Sequence, residues 1–169
     1  MPRHLSRTIL AAFALAMSAS AGSAATAILK DADGKSVGTV TLAETPNGVF
    51  LDAELTGLPS GEHGFHVHTT GKCDPDFGAA GGHLQGDSDV HGFIVADGPH
   101  AGDMPNIHVP ESGSLRFEVF APALSFETGS GALFDGDGAA IVIHAGADDY
   151  ASQPAGDAGN RIACGVIER

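Results

Sequence analysis

Apolar and polar residues alternate with a period of two through most of this chain, the spacing of a β-strand that buries one face. Residues 25–30 open the pattern, which stops at Asp31-Ala32-Asp33-Gly34, a turn signal. Residues 37–42 and 49–55 continue it on either side of Pro46-Asn47-Gly48, so the first third reads as a three-stranded meander. In residues 64–68, Gly-Phe-His-Val-His, alternation puts Phe65 and Val67 on one face and His66 and His68 on the other. Further strands are predicted at 107–109, 115–120, 139–143 and 161–167. Two stretches have no period: 69–104, rich in Gly, Asp and His, and 145–160. Eight short strands between turn signals predict an all-β fold, an eight-stranded Greek-key β-sandwich or barrel with two long loops. Loops of that length inside a compact domain are usually functional. Asp135-Gly136-Asp137-Gly138 has acidic spacing but lacks the downstream Glu of a calcium loop, and reads as a turn.

The first 24 residues depart from this pattern. Arg3, His4 and Arg7 make a basic start, residues 9–17 are apolar, and residues 18–25 are small, the layout of an export signal. The apolar run is too short to span a bilayer. Cleavage after Ala24 fits the small-x-small rule, with Ala25 and Ala27 as neighbouring options, and no Cys stands there to take a lipid anchor. The expected organisation is a signal over 1–24 and one domain over 25–169, exported to the periplasm or, second, to an extracellular space. Two of the eight Lys and Arg leave with the signal, so six remain against 21 Asp and Glu, a net charge of −15 with neutral His. Nucleic acid and anionic membranes are therefore poor partners.

Export also changes the reading of Cys73 and Cys164, the only two cysteines. An oxidising compartment favours a disulfide between them, against two buried free thiols as the alternative. In the chain-entropy account a bridge across so long a segment contributes roughly 4–5 kcal/mol.

Most of the nine histidines crowd into the first irregular stretch and the strand ends beside it. His66 and His68, two apart on a strand, project side by side and can grip one cation; alone, the pair also suits two exposed polar residues. His83, His91, His100 and Asp103 follow on one loop, and three imidazoles with a carboxylate make a tetrahedral set suited to structural zinc. His144 ends the apolar run Ala140-Ile141-Val142-Ile143; by itself it reads as a core or rim residue, and with His66 and His68 it becomes a third ligand from a remote strand. His63 and His108 are assigned to structure or surface.

Four segments carry a family resemblance: Gly64-Phe65-His66-Val67-His68, Ala80-Gly81-Gly82-His83, Gly98-Pro99-His100-Ala101-Gly102-Asp103, and residues 159–167 with Arg161 and Cys164. In order and over essentially the whole exported chain, they resemble the signature segments of copper/zinc superoxide dismutases. The resemblance implies copper on His66, His68, His83 and His144, and zinc on His83, His91, His100 and Asp103, with His83 bridging the two ions. It implies that Asp148 links ligands of both sites, that Cys73 and Cys164 form the family disulfide, and that Arg161 holds the substrate anion over the copper. The implied activity is disproportionation of superoxide to dioxygen and hydrogen peroxide by redox cycling of copper, with His83 relaying a proton. An exported copper/zinc-binding or copper-delivery module without turnover is the alternative. A homodimer is open, since no patch in the sequence is diagnostic. The chain departs from the family in having Leu84-Gln85-Gly86 after the bridging His, in place of an aromatic residue and a proline-containing turn. Its 145–160 loop also lacks lysine, and only Lys72 is left to aid Arg161.

Overall fold

The computed structural model describes residues 23–169, so the expected signal lies outside the described residues apart from Ser23 and Ala24. Nine strands form: β1 (Ala24–Asp31), β2 (Ser36–Thr45), β3 (Gly48–Leu55), β4 (Gly61–His63), β5 (Phe65–His68), β6 (Ile107–Val109), β7 (Leu115–Ala121), β8 (Ala140–His144) and β9 (Arg161–Glu168). Eight correspond to the predicted strands. The ninth, β4, arises because the chain breaks at Gly64, whose N–H donates to Gly146 O while its carbonyl accepts from His144 N–H.

Seven strands make one antiparallel sheet in the order β5-β8-β9-β1-β2-β3-β7, and β4 pairs with β6. The chain runs from β3 to β5 at the far edge, returns to place β7 beside β3, and crosses again to β8, a Greek-key path. Phe65 on β5 and Phe117 on β7 stand edge to face with ring centroids 5.2 Å apart. These strands are the two ends of the sheet, so the sheet is curled until its edges face one another across a single core. Alternation supplies that core: Ala25, Ala27 and Leu29 from β1, Val49, Leu51 and Ala53 from β3, and Ile141 and Ile143 from β8 are all buried together. Each large apolar side chain so buried stabilises the fold by roughly 1.5–3 kcal/mol. The Asp135 carboxylate accepts from the N–H groups of Asp137 and Gly138, the turn expected there.

β5 and β8 differ from the other strands in being buried on both faces. Their outer faces are covered by the two long loops, 69–104 and 145–160. Over β8 and β9 the cover is a small apolar cluster: Ala80 packs with Ala140, Val142 and Cys164, flanked by Cys73 and Phe77. Cys73 and Cys164 are joined as a disulfide, which ties the first loop to the last strand. The double substitution Cys73→Ser with Cys164→Ser is expected to lower unfolding free energy by about 2–5 kcal/mol, measured by urea denaturation. An unchanged midpoint would mean that packing of Phe77 and Ala80 alone holds the segment.

Candidate metal centre

The site begins at the free edge of β5. Val67 N–H donates to Gly102 O at 2.9 Å and Val67 O accepts from Leu84 N–H at 2.8 Å, while Gly102 N–H reaches Leu84 O at 2.8 Å. Two pieces of the first loop thus extend the sheet by single bridges, which set Asp103 opposite His66 and His83 opposite His68. Leu84 is buried in this arrangement, so the departure at Leu84-Gln85-Gly86 keeps its packing through backbone pairing. His144 arrives from β8, where a shift in register after Ile143 brings it opposite Arg161 of β9.

All seven predicted ligands are buried, and they form two groups whose donor atoms lie within 4.8 Å of one another. The first is His66, His68, His83 and His144; the second is His83, His91, His100 and Asp103. Hydrogen bonds decide which nitrogen each ring offers. His66 Nε2 lies 2.8 Å from Asp148 Oδ2, His68 Nδ1 donates to Gly81 O at 3.0 Å, and His144 Nδ1 donates to Gly159 O at 3.2 Å. In a neutral ring the opposite nitrogen then carries the lone pair. Those atoms, His66 Nδ1, His68 Nε2 and His144 Nε2, are buried without a partner among the described residues, as is His83 Nε2.

In the second group, Nδ1 of His83, His91 and His100 stand 2.8, 3.0 and 3.4 Å from the one oxygen Asp103 Oδ1. Only the first has hydrogen-bond geometry, and the Nδ1 atoms of His91 and His100 stay unpartnered. Donors packed around a point rather than aimed at one another suit a shared cation. Three imidazoles and a carboxylate match zinc, and four imidazoles match copper. His83 serves both groups, with Nδ1 on the Asp103 side and Nε2 left for the other.

Electrostatics agree with this geometry. Burial foremost holds His83 at about 4, against its hydrogen bond to Asp103, and holds His144 at about 4 with the help of His66. Burial likewise pushes His68 well below its ordinary value. These rings are neutral at pH 7 and their lone pairs are available. Burial works against charge on Asp103 and Asp148, yet hydrogen bonds win: His83 and Gly92 N–H hold Asp103 well below the usual carboxylate range, and His66 and His91 hold Asp148 at about 2.

Asp148 is the link between the groups, since its other oxygen lies 2.9 Å from His91 Nε2. Gly156 has φ +66°, and a Cβ there would stand 1.8 Å from Asp148 Oδ1, so only glycine leaves room for the carboxylate. Three supporting residues carry no signal in the sequence pattern. His63, 3 % exposed, sits with Nδ1 2.8 Å from His144 O and Nε2 2.9 Å from Pro59 O, tying the backbone of His144 to the preceding loop. Asn106 and Gln153 hold the backbones of Asp148 and His91. His108 is exposed beside Glu62 and takes no part.

A cleft of about 380 Å³ opens onto the first group, lined by His68, His83, His144, Asp89, Pro154 and Arg161. Arg161 is half-buried and donates to Phe77 O at 2.5 Å and Gly81 O at 2.6 Å. Gly81 O therefore accepts from both Arg161 and His68. Backbone carbonyls fix the guanidinium without cancelling its charge, and among the described residues it has no carboxylate within ion-pair distance.

The family profile described as copper/zinc superoxide dismutase (SODC) matches residues 36–167. The chain belongs to this family. A protein named superoxide dismutase [Cu-Zn] 1 from Aquifex aeolicus (strain VF5) is 46% identical over 138 residues, 80% of this chain and 82% of that one. The superoxide dismutase [Cu-Zn] of Caulobacter vibrioides is 45% identical over 148 residues, 85% of each. Among solved structures, a double mutant of a SOD-like protein from Bacillus subtilis superposes with a TM-score of 0.81 at 36% identity, covering 85% of this chain and 97% of that one. The family name of the copper/zinc superoxide dismutases specifies two metals, and this member presents two donor groups joined through one histidine.

The metal-free protein is expected to take up two divalent ions per chain, counted by elemental analysis. His83→Ala removes a donor from both groups and should weaken both ions by at least about 10-fold, whereas His100→Ala should weaken one. Loss of a single ion's affinity in His83→Ala would contradict the sharing.

Proposed function

We propose that this protein is a superoxide dismutase, with copper held by His66, His68, His83 and His144 and zinc by His83, His91, His100 and Asp103. The observation that carries the reading is His83 shared between two donor groups beneath a cleft that holds an unpaired Arg161. When bound, copper supplies one-electron exchange with superoxide, yielding dioxygen in one half-cycle and hydrogen peroxide in the other, and zinc supplies a fixed charge that orders the loop. Arg161 draws the small anion into the cleft and orients it against the first group. His83 Nε2, which has no partner among the described residues, takes a proton in one half-cycle and gives it up in the next as one of the two protons that hydrogen peroxide needs, the other coming from water, while Nδ1 would remain on the zinc shared with Asp103. Asp148 keeps His66 and His91 in fixed orientations throughout.

The donor chemistry favours turnover over simple metal storage. A storage module needs neither a guanidinium aimed at an open cleft nor a ring shared by two ions. The export signal over residues 1–24, with the mature chain beginning near Ala25, completes the reading as an exported, periplasmic enzyme. Among the described residues no helix is long and apolar enough to cross a membrane.

Protein loaded with copper and zinc is expected to contain one of each per chain and to dismutate superoxide rapidly, with activity lost on copper chelation. Both metals bound without turnover would establish the storage module instead. Arg161→Ala should retain both metals and lose about 10-fold or more in rate, within the range that charge focusing supplies; undiminished turnover removes Arg161 from the mechanism. The 145–160 loop has no lysine and carries Asp148, Asp149 and Asp157, so attraction of the anion is short-range. The rate should therefore fall less with ionic strength than in a relative with a basic loop. A steep decline would contradict this.

A further inference from the structure

Two carboxamide side chains make the same unusual contact in this protein. Gln153 Oε1 accepts from His91 N–H at 2.9 Å while its Nε2 donates to His91 O at 2.9 Å. Asn106 Oδ1 accepts from Asp148 N–H at 2.8 Å while its Nδ2 donates to Asp148 O at 2.8 Å. Each amide thus grips both backbone groups of one residue, as a neighbouring β-strand would, although neither His91 nor Asp148 lies in a strand. The two gripped residues are joined by their side chains, His91 Nε2 to Asp148 Oδ1 at 2.9 Å. The result is a chain of contacts from Asn106 through Asp148 and His91 to Gln153.

The segments involved are also interlocked by shape. Gly92 has φ +106°, and a Cβ there would stand 2.0 Å from Tyr150 O, so the two loops meet at a distance only glycine permits. Ile94 N–H reaches the same carbonyl at 3.3 Å, and Tyr150 OH accepts from Asn106 N–H at 2.8 Å. Gln153 holds its own loop as well, donating to Ala151 O at 2.9 Å. Loop 145–160 contributes no ligand to the second group, yet through Gln153 it fixes the backbone of a residue that does.

We propose that Asn106 and Gln153 are positioning residues that set the second donor group before any ion arrives, and that they do so with different reach. Gln153 acts on His91, which belongs only to the group assigned to zinc. Asn106 acts on Asp148, whose carboxylate orients His66 in one group and His91 in the other. Gln153 is therefore selective for zinc, and Asn106 couples both ions. Imidazole orientation is what such partners control, and their loss commonly costs 10- to 100-fold in metal affinity. The proposal rests on the assignment of His83, His91, His100 and Asp103 to zinc.

The test uses the full exported chain with its disulfide intact, freed of metal. Zn²⁺ and Cu²⁺ affinities are measured separately by competition with a chromophoric chelator, and Co²⁺ in the zinc group is followed by its visible spectrum. Gln153→Ala is expected to lower Zn²⁺ affinity about 10-fold, to weaken the tetrahedral Co²⁺ bands, and to leave Cu²⁺ affinity within about twofold. Gln153→Glu keeps the acceptor for His91 N–H and should recover part of the loss. Asn106→Ala is expected to weaken both ions about 10-fold. Equal loss of both ions in Gln153→Ala would show general loosening and overturn the proposal, as would no loss at all. Wild-type protein that takes up Cu²⁺ but no Zn²⁺ would overturn the zinc assignment itself, and the proposal with it.

Discussion

Among the described residues, seven imidazole nitrogens at one end of the sheet are buried with no partner, on His66, His68, His83, His91, His100 and His144. A buried polar atom left unmatched costs on the order of 1–3 kcal/mol, so a cluster of them is tolerated only where something else satisfies it. Here the opposite nitrogens of several rings are tied to carbonyls or carboxylates, which turns each lone pair inward rather than leaving its direction to chance. Metal binding and folding are linked through this constraint, because the same contacts that order the loops aim the donors.

The barrel provides what a loop alone does not. β5 is an edge strand, and an uncovered edge offers free N–H and C=O groups to any partner. The first loop uses that edge, and in doing so it delivers His83 opposite His68 and Asp103 opposite His66. The outer faces of β8 and β9 supply His144 and Arg161, and the disulfide with its small apolar cluster presses residues 73–81 against them. The carbonyls of that segment then hold the guanidinium. Fold stability and the placement of Arg161 thus depend on the same stretch of chain.

Charge sets a second condition. A chain of net −13 repels a small anion at long range, and the cleft presents one cation, Arg161, close to the first donor group. Arg161 keeps its charge unmatched there because its partners are neutral carbonyls. A carboxylate partner would orient it equally well and cancel that charge.

Alternation of period two and turn chemistry are local, so the strands, their inward faces and the two irregular loops were readable from residues such as Phe65, Val67 and the Pro46-Asn47-Gly48 turn. Residue type was readable too, since few arrangements other than a metal site bring His66, His68, His83, His91, His100 and Asp103 into one segment. The break at Gly64 was not, because it depends on hydrogen bonds to Gly146 and His144, some eighty residues away. Nor were the roles of His63, Asn106 and Gln153, single polar residues in unremarkable surroundings whose partners are backbone groups far along the chain. By itself, then, the sequence determined the chemistry available and the face of each strand on which it lies. Only the tertiary structure decided which nitrogen of each ring points inward and what holds it there, because those choices are made by long-range hydrogen bonds that leave no periodic trace.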